Sequence, residues 1–512
     1  MSNAQVAEAL TRLPDYLGSH VLVSVTALLL GLAVSLPLAI ASLRRPGLRA
    51  LLLGAAGVVQ TVPGLALLAL FYPVLLGLAG LCARAFGFSF PALGFLPAVL
   101  ALALYSMLPV LRNTITGILG IDPAVRTAAA GVGMTPAQSL RMVELPLALP
   151  VIMAGIRTAS VWVIGTATLS TPIGQTSLGN YIFAGLQTQN WVFVLFGCVA
   201  AAVLALAVDQ LLGLIERGFA IRSHNRVVAG VLGLALIVAG ALGPVLAQGS
   251  RGYVIGAKPF AEQYILAGLI RDRLRAASLS ARERDGLGSA VIFEALEQGD
   301  VDVYVDYTGT IWANRMHRTD THPRAETLHD VGAWLKTRNI LMLGGLGFEN
   351  AYALAMNSAR ARQLGIHTLS DLAPHAGELS IAGDFEFFSR PEWKAIRDAY
   401  GLAFRRQRQM QAEFMYPAAA SGEVDVIAAY TSDGRIAKYS LQVLDDPKHA
   451  VPPYDAILLV SPKRANDAKL QDALRPLIGA ISVQSMREAN RRTAEGVTPA
   501  EAAAWLNERI AR

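Results

Sequence analysis

Three clusters of polar and aromatic residues stand where short apolar runs end in the second half of the chain. They are Lys258 to Gln263 after Tyr253-Val-Ile-Gly, Tyr307-Thr-Gly-Thr310 after Val301 to Val305, and Tyr430-Thr-Ser-Asp433 after Val424 to Ala429. A tyrosine face attracts a cation through the ring quadrupole by about 0.5–2 kcal/mol, depending on desolvation. A quaternary ammonium has no N–H to donate, so hydrogen-bonding side chains cannot select it, whereas several rings around it can. Gln263, Thr310 or Asn350 could orient the other end of such a ligand. Arg390, in Glu386-Phe-Phe-Ser-Arg390-Pro, could take a carboxylate, and it equally suits a surface partner of Asp384 or Glu386. Each tyrosine alone has a plain reading as a half-buried core residue, and Tyr-Thr-Gly reads as a turn. Three such clusters at strand ends together point to a cleft lined by rings. Bond-making chemistry has no comparable signature. There is no nucleophile–base spacing and no metal-ligand spacing, and His317 and His322 lie in a polar loop that reads as solvated. No metal and no cofactor is expected, and none of the seven lysines completes a GxxxxGK[ST] motif, so the chain carries no P-loop ATPase of its own.

The elements that would position these clusters alternate short apolar runs with helical stretches: Tyr253-Val-Ile-Gly then Gln263 to Arg275, and Val301 to Val305 then Leu328 to Lys336. Further strands are expected at Ser380-Ile-Ala-Gly, Val424 to Tyr430 and Ala456 to Val460. This alternation predicts an α/β domain with mostly parallel sheets, whose ligands bind outside the strand carboxyl ends. About 260 residues suggests two lobes.

The first half is a different material. Only 16% of the chain is charged against about 25% in a soluble domain, and the deficit is local. Residues 1–250 hold 12 Arg, no Lys and six acidic residues, whereas residues 251–512 hold 32 basic and 32 acidic ones. The basic excess therefore sits between apolar segments and says nothing of nucleic acid, which is not expected as a partner. Six runs are long enough to span a bilayer: Val21 to Leu43, Leu48 to about Leu76 with breaks at Pro63-Gly64 and Pro73, Leu93 to Leu111, Leu147 to about Leu169, Trp191 to Ile215, and Val227 to Ala247. Arginines concentrate in alternate loops (Arg44, Arg45, Arg49; Arg112, Arg126, Arg141; Arg217, Arg222, Arg226), which marks those loops as cytoplasmic. The N-terminus and everything after Ala247 then lie outside, in a multi-pass inner (plasma) membrane protein with a periplasmic or extracellular C-terminal domain. The first run exceeds a signal-peptide core, so it is expected to stay as a span. Cys82 and Cys198 both fall in the membrane half, so the other half is free of thiols. The expected architecture is an all-α transmembrane domain of about six spans in all, five of them within 1–226 with a surface loop at 122–150 and the sixth with the linker in 227–251, followed by a two-lobed α/β domain over 252–512. Inside span four, Arg157 admits two readings: a functional intramembrane charge, or a side chain that snorkels or pairs at a subunit interface. Thr166, Thr168 and Ser170 beside it suit helix packing.

The loop between spans three and four reads Thr127-Ala-Ala-Ala-Gly-Val-Gly-Met-Thr-Pro-Ala-Gln-Ser-Leu-Arg-Met-Val-Glu-Leu-Pro. Thr135 is placed as an N-cap with Pro136 at the first helical position. Gly131 and Gly133 break the helix before it, and Pro146 and Pro150 are expected to end the second. The spacing Ala128-Ala129, Gly133, nine residues, Val143-x-Leu145-Pro146 resembles the EAA loop of ABC importer permeases, whose coupling helices dock into an ATPase subunit. Thr127 stands where that motif usually has Glu. The text from Tyr105-Ser-Met-Leu-Pro to Met153-Ala-Gly-Ile-Arg-Thr-Ala, and Gln60-Thr-Val-Pro-Gly-Leu, resembles the permeases for glycine betaine, choline and carnitine. In the second half, Lys258-Pro-Phe-Ala-Glu-Gln-Tyr-Ile-Leu, Phe293-Glu-Ala-Leu-Glu-Gln-Gly-Asp, Asp306-Tyr-Thr-Gly-Thr, Gly347-Phe-Glu-Asn-Ala-Tyr-Ala-Leu, Tyr430-Thr-Ser-Asp-Gly-Arg and Pro452-Pro-Tyr454 resemble the osmoprotectant-binding proteins.

The resemblance implies a clam-like binding protein of the periplasmic type with ligand contacts from Gln263, Tyr307, Thr310, Asn350, Tyr352 and Tyr430. It departs in a short segment between Leu274 and Gly286, and in Arg324 to Leu335, which has Trp334 and no Tyr. It implies a transporter subunit rather than an enzyme: a permease fused to its binding domain, paired as a homodimer and driven by a separate cytoplasmic ABC ATPase, importing a small-molecule quaternary amine. Ergothioneine is a betaine with a larger ring, and cage chemistry alone does not separate it from betaine, choline or carnitine. A membrane-tethered sensor is the rival from another class, and it has no use for an EAA-like loop.

Overall fold

The computed structural model describes residues 3–87, 90, 94–188, 190–247, 252–318, 320, 322–384 and 387–510. Glu386 and most of the expected linker at Gln248 to Gly252 lie outside them. The chain divides into two compact units, 1–182 with 192–250, and 183–191 with 251–512.

The first unit is helical: α1 (Asn3–Ser42), α2 (Pro46–Thr61), α3 (Gly64–Phe86), α4 (Phe95–Leu119), α5 (Pro123–Gly131), α6 (Pro136–Ser139), α7 (Leu145–Ala167), α8 (Gly179–Gln187), α9 (Trp191–Ala220) and α10 (His224–Ala247). Among the described residues, six helical segments are long and apolar enough to cross a membrane: Gln5–Ser42, Gly64–Phe86, Phe95–Leu119, Pro136–Ile173, Trp191–Ala220 and His224–Gly243. Helix α4 is the central one, packed by α1, α2, α3 and α7, with Leu102, Val110 and Leu111 fully buried.

Two expectations are corrected in this unit. The second apolar run is not one interrupted span but two helices, α2 and α3. Val62 is extended (φ −73°, ψ 128°), because the residue before a proline is excluded from the helical region. The Tyr105 hydroxyl donates to the Val62 carbonyl, satisfying a group that the break would strand in an apolar setting. Nor do Pro146 and Pro150 end the short surface helix. Helix α6 runs through one π-helical stretch, Leu140–Glu144, straight into α7, with Pro146 in its first turn and Pro150 inside it. Within a continuous membrane-type helix a proline is tolerated through local π adjustment, here the Leu140–Glu144 stretch just ahead of Pro146.

Among the described residues, the second unit holds ten strands: β1 (Tyr253–Gly256), β2 (Ala281–Arg284), β3 (Val303–Tyr307), β4 (Leu341–Glu349), β5 (Tyr352–Asn357), β6 (Ser380–Gly383), β7 (Arg406–Gln409), β8 (Val426–Tyr430), β9 (Leu441–Val443) and β10 (Asp455–Val460). They form two five-stranded sheets, β2-β1-β3-β10-β4 and β7-β6-β8-β5-β9, one per lobe. The expectation of mostly parallel sheets is corrected. β1 pairs β2 and β3 in parallel, and β6 pairs β7 and β8 in parallel, but β10 is antiparallel to β3 and β4, and β5 to β8 and β9. The cause is connectivity. The chain leaves the first lobe along β4, enters the second along β5 and returns along β10. The outgoing and returning strands β4 and β10 therefore lie side by side and opposed. The two crossings are tied together where Asn350 N donates to Tyr454 O at 3.0 Å. Helices α11 (Ala261–Ala276), α12 (Ser289–Gln298) and α13 (Thr308–Asn314) cover the first sheet. Strands β3 and β10 are buried at every residue, as strands covered on both faces must be.

Candidate functional site

Tyr307 is the last residue of β3 and Tyr430 the last of β8, so both rings stand at strand carboxyl ends, one in each lobe. In the second lobe the register places Tyr352 directly opposite Tyr430. Opposed residues on neighbouring strands share a face, and the ring centroids are 4.9 Å apart. Tyr352 also meets Tyr454 edge-on at 5.9 Å and Phe387 at 5.6 Å. From the first lobe, Phe260 lies between the two strand-end tyrosines. Its centroid is 6.3 Å from that of Tyr307 and 6.3 Å from that of Tyr430, with the Phe260 and Tyr430 planes within 4°. The expected tyrosines are therefore brought together, with Phe260, Phe387 and Tyr454 joining them.

Tyr-Thr-Gly-Thr is not the turn that its composition suggests. Thr308, Gly309 and Thr310 open α13. Gly309 is required by a close approach, because a Cβ there would lie 2.3–2.5 Å from ring atoms of Tyr454. Thr308 Oγ1 donates to Pro453 O at 2.8 Å and accepts from Asp455 N at 2.9 Å, pinning the returning crossing. Thr310 is buried on the same first turn.

The polar groups fall into two sets. Gln263 turns inward, with its amide nitrogen donating to Val305 O at 3.0 Å and to the Tyr307 hydroxyl at 3.1 Å, so it positions the ring. Glu262, its neighbour in α11, is buried and gathers four donors. Its Oε1 accepts from the Tyr307 hydroxyl at 2.6 Å and Asn350 Nδ2 at 3.1 Å. Its Oε2 accepts from the Ser432 hydroxyl at 2.5 Å and Asn490 Nδ2 at 2.8 Å. Ser432 follows β8 in the second lobe, so this carboxylate ties the lobes together. Burial pushes its pKa up, against the pull of Ser432, Tyr307, Asn490 and Asn350. Arg390 is only 8% exposed, which overturns its reading as a surface partner. Its guanidinium lies 5.1 Å from the Tyr352 centroid and 3.4 Å from Glu392 Oε1. Burial opposes its charge, but the neighbouring Tyr352 and Glu392 hold its pKa above the ordinary value. Burial likewise raises the pKa of Tyr307, Tyr352, Tyr430 and Tyr454, so all four remain phenols at neutral pH.

The sequence reading placed Phe260 and Glu262 in a candidate cluster, Tyr454 in a family-like string and Asp384 beside Arg390 without giving any of them a ligand role, and it missed Glu392 altogether. Glu262 has an ordinary explanation as an acidic residue in a first helical turn, and nothing local distinguishes it. Its signal is the partner set, contributed from residues 307 to 490. His322 sits in an exposed ion-pair network, with Nε2 2.7 Å from Asp320 and Nδ1 2.9 Å from Glu326. Among the described residues no cluster of His, Cys, Asp or Glu could hold a metal ion.

In the membrane-type unit, Arg157 pairs within its own chain. Its Nε and Nη2 grip both oxygens of Asp209 at 2.9 and 2.8 Å, and Nη1 reaches Glu216 at 2.7 Å. Gly213, one turn from each acid on α9, leaves room for the guanidinium, 3.1 Å from where a Cβ would stand. In the EAA-like loop, Thr135 caps α6 in a reciprocal box with Gln138, and Gly133 takes φ +84° after α5. Ala129 is buried, Leu145 half-buried, and Ala128, Gly133 and Pro146 are exposed. Arg126 ties α5 back to Glu144 at 3.1 Å, and Val132 and Met142 project 75% and 64% exposed.

Residues 252–508 match the family model of the substrate binding domain of ABC-type glycine betaine transport systems. Residues 29–221 match that of the binding-protein-dependent transport system inner membrane component. The chain is 30% identical over 462 residues, 86% of its length and 80% of the relative's, to the ergothioneine transport permease/ergothioneine binding protein EgtU of Helicobacter pylori (strain G27). Over 198 residues, 39% of this chain and 84% of the relative, it is 41% identical to the choline transport system permease protein OpuBB of Bacillus subtilis (strain 168). A solved glycine betaine/carnitine/choline ABC transporter structure is 26% identical, covering 50% of this chain and 98% of its own, with a TM-score of 0.45.

Proposed function

Since the chain belongs to the ABC-type binding-protein-dependent transport systems, as an inner-membrane permease continued by a betaine-type substrate-binding domain, we propose that it captures a trimethylammonium solute outside the cell and passes it inward through its own permease. The observation that supports this reading most is the convergence of Phe260, Tyr307, Tyr352 and Tyr430 from two lobes onto one cleft. Rings gathered from both lobes can turn π faces to a methylated cation that no hydrogen-bond donor could select once the lobes part around it. Arg390 receives the ligand's carboxylate, and Asn350 and Thr310 orient it. The solute must bind the closed lobes better than the open ones.

Transport is driven by a separate cytoplasmic ATPase docking on the exposed loop around Ala128, Ala129, Gly133, Leu145 and Pro146, and two copies of the chain form the pore. Glycine betaine, choline and carnitine share the required headgroup. Ergothioneine shares it too, and it is favoured by one observation: a relative that matches across both units is an ergothioneine transport permease and binding protein, whereas the choline permease above matches only the first. Calorimetric titration of the full-length protein in lipid nanodiscs with these four solutes tests the reading. Binding to at least one at about micromolar affinity or tighter (roughly −8 kcal/mol or better) is expected, and indifference to all four would sink it.

A further inference from the structure

Each of three tyrosines at the cleft delivers its hydroxyl to a different carboxylate. Tyr307 donates to Glu262 at 2.6 Å, Tyr430 to Asp384 at 2.9 Å, and Tyr454 to Glu392. The acids come from α11, from the end of β6 and from the helix Pro391–Tyr400, so no single local motif produces the pattern. Among the described residues, two cations of the chain stand beside this set: Arg390, 3.4 Å from Glu392, and Lys258, which pairs with Asp306 and lies 5.3 Å from the Tyr307 ring centroid. The fourth tyrosine, Tyr352, lies 3.2 Å hydroxyl to hydroxyl from Tyr430 and so joins the Asp384 chain.

A phenol that donates to a carboxylate gains electron density in its ring, because hydrogen-bonded groups polarise one another, and a richer π face holds a cation more strongly. In a low-dielectric cleft the acids also contribute a direct negative field without touching the ligand. We infer that Glu262 and Asp384, with Glu392 behind Tyr454, are positioning residues that set the preference of this cleft for a cationic headgroup over a neutral one of the same shape. They act through the phenols, while the rings alone supply shape. The inference rests on the trimethylammonium reading above and adds to it the source of charge selectivity.

The test compares each trimethylammonium solute with its carbon isostere, in which a quaternary carbon replaces the nitrogen: choline with 3,3-dimethylbutan-1-ol, and glycine betaine with 3,3-dimethylbutanoate. Full-length wild type, Glu262→Gln, Asp384→Asn and Tyr430→Phe are titrated in nanodiscs. Wild type should prefer the cation, each variant should lower the cation-to-isostere ratio by about fivefold or more, and in Glu262→Gln and Asp384→Asn isostere affinity should stay within about twofold. A merely structural role would weaken both ligands together and leave the ratio unchanged, and that result overturns the inference while the cage stands. Wild type that binds none of choline, glycine betaine, carnitine and ergothioneine overturns the cage reading and the inference with it, and where ergothioneine alone binds, the same ratio is read against its analogue carrying a tert-butyl group in place of the trimethylammonium. Asp384→Asn and Tyr430→Phe keep the test decisive if Glu262→Gln does not fold, because Asn still accepts from the phenol and Phe keeps the ring.

Discussion

At the scale of single residues, the cage makes a sharp demand on two rings from opposite lobes. Tyr307→Ala and Tyr430→Ala should each lower solute affinity by about tenfold or more, because one desolvated cation–π contact accounts for up to about 2 kcal/mol. Unchanged titration curves for both would falsify the cage. Glu262 makes the site sensitive to acid. Its pKa is raised by burial, so protonation begins above the ordinary carboxylate range, and cation affinity should fall as pH drops through that point. Stability runs the opposite way. A carboxyl whose pKa is raised on folding contributes stability that is fully present below its unfolded pKa and is lost as pH rises through the folded one. Titrations from neutral pH downward should show affinity falling in wild type, with a flatter profile in Glu262→Gln.

Elements place those residues by close approach rather than by propensity. The first turn of α13 and the crossing at Tyr454 touch only because position 309 has no side chain. Gly309→Ala should therefore cost about 1–3 kcal/mol by overpacking, read as a lower Tm, and it should weaken binding by displacing Tyr454 from Tyr352. In the other unit, Arg157 joins α7 to α9 through two acids. Removing the arginine strands both carboxylates, so Arg157→Ala should destabilise by up to about 3–5 kcal/mol. Asp209→Asn, which leaves Glu216 in place, should cost less. Thermal unfolding in detergent orders the two variants, and an equal or reversed order would mean that the cluster is not what joins these helices.

On the scale of the whole molecule, one chain carries both a permease domain and a betaine-type substrate-binding domain. A short tether holds the local concentration of binding domain in about the millimolar range, so adding free binding domain should not raise uptake at low solute. The arrangement requires the C-terminal half to lie outside. A cysteine placed on its surface by Ala277→Cys, with Cys82 and Cys198 replaced by Ser, should react with a membrane-impermeant maleimide on intact cells or spheroplasts. Labelling only after lysis would put the domain on the wrong side and remove the importer reading.

Much of this protein is determined by composition and periodicity alone. Long apolar runs must leave water, so the number of membrane-type segments and the division into two materials are legible, although the second segment lies at Gly64–Phe86 and not from Leu48 to Leu76. The strand ends at Tyr307 and Tyr430 are legible because Val303–Tyr307 and Val426–Tyr430 are apolar and β-prone. The polar edge strands Ala281–Arg284 and Arg406–Gln409 are not, since at a sheet edge pairing replaces hydrophobicity as the cause of extension. What only the tertiary structure decided is whatever depends on partners distant in the chain. The antiparallel pairing of β10 follows from the return crossing, and the meeting of Tyr352 with Tyr430 follows from strand register. The role of Glu262 is set by donors up to 228 residues away. A local pattern records the free energy of a residue's own surroundings in sequence, whereas a buried carboxylate is stabilised by groups that arrive only when the lobes are built.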